Sequence, residues 1–170
     1  MSNIKKIALI STGGTIEKTY DALHGVLLNG TNVLDIMLAQ LKLKGIMMTR
    51  IPLMNKDSLD MNDDDHTLIA RTAEAMASIY DGVVIVHGTD RLQYSGERTL
   101  TQIPEPRVPI IFTGALRPFE LRRTDAVQNL TESLLAVQLL QPGVYLSIHN
   151  QILKFPGVYK ENGVFLQRPV

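Results

Sequence analysis

Cysteine is absent from this chain, which excludes disulfides, thiolate nucleophiles, zinc ribbons and iron–sulfur clusters together. An excess of either charge is absent too. Seventeen Lys plus Arg face seventeen Asp plus Glu, so no global field would draw the molecule to nucleic acid or to an anionic membrane. No apolar run reaches the roughly 18 residues of a membrane span. Residues Met1 to Lys6 lack the long apolar core of a secretory leader, so a soluble, cytoplasmic protein with no membrane partner is expected. What remains is ample: 45% hydrophobic and 20% charged residues in 170 positions, enough to close one core and the size of a single domain spanning residues 1–170.

Apolar runs and turn residues alternate along the chain. Ile7–Ile10 reads as a buried strand stopping at Ser11, Thr12, Gly13 and Gly14. Residues 15–30 lose periodicity and are expected to form a structureless, substrate-covering loop. Asn32 is a candidate cap for a helix striped by Val33, Leu34, Met37, Leu38 and Leu41 and ending near Gly45. A strand follows from Ile46 to Leu53, with Met47, Met48 and Met54 expected in strand packing. Asp63, Asp64 and Asp65 suit the first turn of a helix carrying Leu68, Ile69, Thr72, Met76 and Ile79.

Val83–Val86 is an unbroken β-branched run, expected at the sheet centre, and it ends in His87, Gly88, Thr89 and Asp90. A helix near Gln93, a strand from Pro109 to Phe112, a helix headed by Asp125 and a strand from Val144 to Ile148 complete the alternation. The tail from Gln151 to Val170 suits a hairpin or an edge extension. The pattern predicts an α/β fold: an open, mostly parallel, Rossmann-like or flavodoxin-like sheet with helices on both faces.

Ligands of such sheets bind beyond the carboxyl ends of the strands. Here those ends carry Thr12–Thr15, Asp57 and Ser58, His87–Asp90 and Thr113–Ala115. The glycine turn has neither a Walker Lys-Ser/Thr pair nor a three-glycine dinucleotide fingerprint, which disfavours a nucleotide cofactor. His24, His66, His87 and His149 fall in no short ligand spacing, so no metal is expected. His87 is read as satisfying a backbone carbonyl beneath its turn, and Arg117, Arg122 and Arg123 as a solvated or subunit-contact cluster. Two threonines in strand-end turns, with a lysine as base and backbone N–H groups for an oxyanion, point to acyl transfer by a hydroxyl nucleophile.

The strings TGGTIE at 12–17, DSLDMND at 57–63, VIVHGTDRL at 84–92 and TGALRP at 113–118 together resemble the bacterial-type L-asparaginases and glutaminase-asparaginases. Typical members continue into a smaller C-terminal domain, and the resemblance implies a short, single-domain form. It implies hydrolysis of the side-chain amide of L-asparagine, with L-glutamine as second candidate, through an acyl-threonine intermediate and without a cofactor. Thr15 matches the position named as primary nucleophile, although either threonine has been argued to attack first in the family. Thr89 and Asp90 match a Thr-Lys-Asp group, whose lysine is assigned by spacing to Lys160. Ser58 would bind the substrate α-carboxylate, Asp90 its ammonium, Gly88 would line the site, and the Ala115 carbonyl would accept from the scissile amide.

The family's loop tyrosine corresponds to Tyr20, favoured for proton relay, or to the position of His24. Leu59, which cannot hydrogen-bond through its side chain, stands where many members have a glutamine, and Arg91 replaces a threonine; because the C-terminal domain of typical members lends polar groups to a neighbour's active site, a short form is expected to hold the amino acid more weakly. A crevice open to water would gain protection in a homo-oligomer, a dimer or tetramer. Two other readings share these motifs: the amidase component of a tRNA-dependent amidotransferase, disfavoured by the neutral charge, and an amino-acid-binding or regulatory protein with little turnover.

Overall fold

The computed structural model describes residues 4–30 and 32–169; Val170, the last residue of the tail considered above, lies outside them. The strands are β1 (Lys5–Gly13), β2 (Lys18–Asp21), β3 (Val26–Asn29), β4 (Ile46–Lys56), β5 (Gly82–Val86), β6 (Pro109–Thr113), β7 (Gly143–Ile148), β8 (Gln151–Lys154), β9 (Val158–Glu161) and β10 (Val164–Gln167). The helices are α1 (Val33–Ala39), α2 (Asp63–Ala77), α3 (Leu92–Gln102) and α4 (Ala126–Leu139). Six strands form one sheet in the order β4-β1-β5-β6-β7-β8. The first five run parallel, and β8 is antiparallel on the edge beside β7. Numbered by their succession along the chain, the parallel strands read 2-1-3-4-5, the flavodoxin-like order, whose direction reverses between β1 and β5.

Alternation along the central strands explains the layers. Ala8, Ile10, Val83, Ile85, Ile110 and Phe112 point to one face and join Ile69, Ala73 and Ala77 of α2. Ile7, Leu9, Val84, Val86 and Ile111 point to the other and join Leu34 and Met37 of α1 and Leu130, Leu134 and Val137 of α4. Both faces are therefore apolar, which is why these strands read as continuous runs rather than alternating ones. Each buried Val, Ile or Leu contributes about 1.5–3 kcal/mol of transfer free energy.

Several local expectations need correction. Residues 15–30 hold a 3-10 turn (Thr15–Glu17) and the antiparallel hairpin β2–β3 rather than a structureless loop. Its turn is specified by Asp21, whose carboxylate accepts from the N–H groups of Leu23 and His24, and by Gly25 at φ +67°. Little of this hairpin is buried, so no apolar period marks it. Helix α1 stops at Ala39, short of Gly45; its end closes in tight turns, Gln40 N–H to the Met37 carbonyl and Leu41 N–H to the Leu38 carbonyl, and Leu41 and Leu43 reach the core from the irregular segment that follows.

Asn32 precedes α1 but makes no side-chain cap, its own backbone being left-handed at φ 68°. Asp125 likewise makes no cap for α4; its carboxylate is turned to other partners. Met48 and Met54 pack against the core, whereas Met47 is exposed on the edge strand β4. The acidic start of α2 contains a capping box, with Asn62 and Asp65 each accepting the other's N–H at 3.0 Å. The tail supplies both suggested forms, β8 as edge extension and β9–β10 as a separate hairpin.

Candidate active site

The carboxyl ends of β1 and β5 lie side by side at the reversal of strand order. The Thr12 hydroxyl donates to the Val86 carbonyl at 2.9 Å and ties them together. Beyond this bond the chains touch: a Cβ added to Gly14 would lie 2.5 Å from both N and Cα of Gly88. Gly14 also sits at φ +88°, so two independent constraints demand glycine there. Gly88 meets a third segment, since a Cβ on it would lie 2.6 Å from the Ser58 hydroxyl. Ser58 opens the 3-10 turn after β4, is fully buried, and accepts from the Arg91 N–H at 3.3 Å. Three strand ends thus converge without intervening side chains, with Thr15, half-buried, next along the chain from Gly14.

Lys160 reaches the same turn from β9. Its Nζ donates to Thr89 Oγ1 at 2.9 Å and to Asp90 Oδ1 at 2.7 Å. One face of α3 holds the lysine and the segment leading to it through three contacts. Gln93 Oε1 accepts from the Lys160 N–H at 3.2 Å, and Glu97 Oε1 accepts from the Gly157 N–H at 2.7 Å. Between them lies Gly96, where a Cβ would stand 2.0 Å from the Phe155 ring. Glycine costs a helix interior about 1 kcal/mol relative to alanine; here it admits the buried phenyl ring that anchors the segment leading to Lys160. These anchors escape sequence reasoning because their partners are some sixty residues away, although a glycine inside a helix is a visible signal.

The segment after β6 is pinned from below. Asn129 Nδ2 donates to the Gly114 carbonyl and to Asp125 Oδ2, both at 2.9 Å. The Asp125 carboxylate accepts from the N–H groups of Leu116 and Arg117, each at 2.9 Å, and stands 2.7 Å from His149 Nε2. Burial pushes this carboxyl up, but the backbone and His149 hydrogen bonds outweigh it and hold it below the usual range. Buried Ala115 sits between these fixed points. Asp125 and Asn129 are positioning groups that sequence reasoning missed, because polar side chains bonded to distant backbone leave no period or motif.

The β2–β3 hairpin is less closely engaged. Tyr20 lies on β2 with 55% of its surface exposed, and its N–H donates to Glu120 at 2.8 Å. His24 sits at the tip against Asp21, at 2.6 Å. The structure therefore brings together Ser58, Gly88, Thr89, Asp90 and Lys160, sets Thr15 one residue from their glycine contact, and leaves Tyr20 on an exposed hairpin. Arg117, Arg122 and Arg123 occupy an exposed loop segment.

His87 is fully buried beneath the turn, with Nδ1 2.7 Å from the Gly88 carbonyl and Nε2 2.8 Å from Ser95 Oγ. Burial depresses its pKa from 6.5 to about 4, against the carbonyl bond, which favours the charged form. Glu17, also buried, is shifted upward by its desolvation in spite of nearby Arg50. Among the described residues no group of three or more His, Asp or Glu is placed to hold a metal ion, and no helix is long and apolar enough to cross a membrane.

Residues 6–164 match the family model described as asparaginase, N-terminal. An L-asparaginase from Thermococcus kodakarensis is 28% identical over 149 residues, which are 87% of this chain and 45% of that protein. A glutamyl-tRNA(Gln) amidotransferase component from Methanococcus vannielii is 30% identical over 152 residues, 88% of this chain and 35% of that protein. Among solved structures, L-asparaginase I from Vibrio cholerae superposes with a TM-score of 0.79 at 25% identity, covering 99% of this chain and 52% of that one. The thermostable L-asparaginase from Thermococcus kodakarensis superposes with a TM-score of 0.73 at 24% identity, covering 97% and 56%. The chain thus spans about half the length of these relatives or less. With strand-end threonines, glycine contacts and family model agreeing over nearly its whole length, this chain belongs to the asparaginase family and corresponds to that family's N-terminal region.

Proposed function

We propose that this protein hydrolyses the side-chain amide of L-asparagine, giving L-aspartate and ammonia through an acyl-Thr15 intermediate. The observation that carries the reading is the hydrogen-bonded group Thr89–Lys160–Asp90 beside the Gly14–Gly88 contact. The Thr15 oxygen attacks the amide carbon while its proton passes, with help from Tyr20 on the closing hairpin, to the amide nitrogen. The C–N bond breaks, ammonia leaves, and an ester to Thr15 remains. Water then attacks the ester and gives a proton to the Thr89–Lys160 pair. The pair passes that proton to the Thr15 oxygen, which leaves as the alcohol as the ester C–O bond breaks, and aspartate is released.

Asp90 exchanges partners in this scheme. The substrate ammonium competes with Lys160 for that carboxylate, which frees the Lys160 Nζ to act on Thr89 and the attacking water in the second step. Ser58, with nearby N–H groups, receives the α-carboxylate; the Ala115 carbonyl accepts from the scissile amide; Gly88 leaves room for both. Backbone N–H groups of the glycine turns stabilise the oxyanion. Leu59 contributes no hydrogen bond through its side chain, so a high KM is expected. The open crevice favours a homo-oligomer; a light-scattering mass of one chain at micromolar concentration would contradict that part.

Sequence likeness to glutamyl-tRNA(Gln) amidotransferase components supports a second reading, in which the same chemistry releases ammonia for a partner. Ammonia release from L-asparagine and from L-glutamine separates the possibilities. Faster release from asparagine supports the hydrolase, release from glutamine alone favours the amidotransferase role, and none from either at high concentration indicates a binding protein.

A further inference from the structure

Beneath the turn that carries Thr89 and Asp90, three elements supply one continuous line of polar atoms. His66 of α2 places Nδ1 2.7 Å from Ser95 Oγ, and Ser95 of α3 places the same oxygen 2.8 Å from His87 Nε2. His87 in turn places Nδ1 2.7 Å from the Gly88 carbonyl. All three side chains are buried, and the imidazoles of His66 and His87 lie nearly parallel, 15° apart, with centroids separated by 6.3 Å.

The directions of the hydrogen bonds follow from the carbonyl end. A carbonyl oxygen only accepts, so His87 Nδ1 carries the proton. With its pKa near 4, His87 is neutral at pH 7, which leaves Nε2 as an acceptor. The Ser95 hydroxyl has a single hydrogen, and it goes to His87 Nε2. Ser95 Oγ must then accept from His66, so His66 Nδ1 also carries a proton. Protonating His66 at its other nitrogen leaves this sequence of donors unchanged.

We propose that Ser95 is a positioning residue for the reaction, and that the one-way line His66–Ser95–His87 holds the His87 imidazole against the Gly88 carbonyl and thereby fixes the plane of the Gly88–Thr89 peptide. In a planar trans peptide, C=O and N–H point in opposite directions. Holding the Gly88 carbonyl down on His87 directs the Thr89 N–H away from the buried imidazole, where it serves as a donor to the substrate. Without the Ser95 hydroxyl, the buried His87 Nε2 is left without a partner, so the ring loses its anchor opposite Gly88 and can turn away from that carbonyl. This inference rests on the active-site reading above for its effect on turnover, but its structural half stands apart from it.

Long-range proton–nitrogen correlation spectra of the imidazoles test both halves, with His66→Leu used to assign the two sets of signals. At pH 7 His87 and His66 should both show the Nδ1–H form. In Ser95→Ala the His87 Nδ1–H proton moves upfield and exchanges faster with water as its bond to Gly88 loosens, and kcat falls at least about tenfold with KM within about twofold, the loss of one fixed donor to the substrate, while Ser95→Thr restores both. His66→Leu costs less turnover than Ser95→Ala, because the bond from Ser95 to His87 survives it. An Nε2–H tautomer in the unaltered protein overturns the proposal, and so does Ser95→Ala with unchanged spectrum and turnover. Should Ser95→Ala fail to fold, Ser95→Cys, whose thiol is only a weak donor, gives the same two readouts, and an unchanged Nδ1–H signal with unchanged turnover there overturns the proposal. A spectrum as predicted in a protein that releases no ammonia would preserve the tautomer assignment and defeat the hydrolytic reading instead.

Discussion

The hairpins β9–β10 and β2–β3 share an architecture, four residues per strand in antiparallel register, but they bury very different faces. Val158 and Phe165 of the first enter the core, and α3 grips it and the segment before it through Gln93, Gly96 and Glu97. The second exposes Tyr20, Val26, Leu27 and Leu28. Among the described residues its hydrogen bonds to the body are few: Lys18 to Asp57 and the Tyr20 N–H to Glu120. A two-stranded hairpin alone is marginal in water, so the docked one is preorganised while the exposed one can open. The difference matches the division of labour proposed for them. A base must be held to within a fraction of an ångström, whereas a cover must admit substrate and release product.

The comparison breaks most visibly at Lys160. Lys160→Met should lower ammonia release about a thousandfold, the middle of the range for removing a proton-transfer group, with the circular dichroism spectrum unchanged. Near-normal turnover would remove the docked hairpin from the chemistry. The next largest effect concerns acid. His87 stays neutral in the fold down to about pH 4 but ionises near 6.5 when unfolded. The unfolded chain therefore binds more protons in that window, and stability falls as pH drops through it, by on the order of 3 kcal/mol in all.

His66, depressed first by burial, acts in the same direction. Glu17, raised by burial, opposes them, because the folded chain holds its proton above the ordinary glutamate range. Two histidines against one glutamate leave a net loss. Denaturant midpoints at pH 7 and about pH 5, inside the window in which the unfolded histidines ionise, test this, and an equal or higher midpoint at the lower pH would contradict it.

Gly96→Ala sharpens the docking claim. Overpacking against Phe155 costs about 1–3 kcal/mol, offset by about 1 kcal/mol of helix propensity, and the displaced ring should also lower turnover. A stabilised, fully active variant would show that the ring does not need that space. The smallest effect belongs to the exposed hairpin. Lys18→Ala, which removes its pair with Asp57, should cost under about 1 kcal/mol of global stability yet speed protease cleavage at residues 22–25. Unchanged cleavage would mean the hairpin is held by something else.

The two hairpins also mark what was legible in the sequence. Strands β1, β5, β6 and β7 announce themselves because both their faces are apolar, so the sheet and the convergence of its ends could be anticipated. Lys160 was reachable by spacing alone. The β2–β3 hairpin was not, since a hairpin with little buried surface has no period to read, and only Asp21 and Gly25 betray its turn. The groups that hold the site in place, Ser95 beneath His87 and the pair Asp125 and Asn129 beneath Gly114, act through hydrogen bonds to distant backbone and side chains. Such bonds depend on the fold being already formed and leave no trace in local pattern.

Rapid acid quenching of the protein during turnover of L-asparagine, followed by peptide mass analysis, tests the central claim most directly. The expected result is a mass increase of one aspartyl group on the peptide containing Thr15, accumulating further in Lys160→Met, where water attack is slowed. An aspartyl group on Thr89 instead, or steady ammonia release with no acylated peptide in either protein, would contradict it.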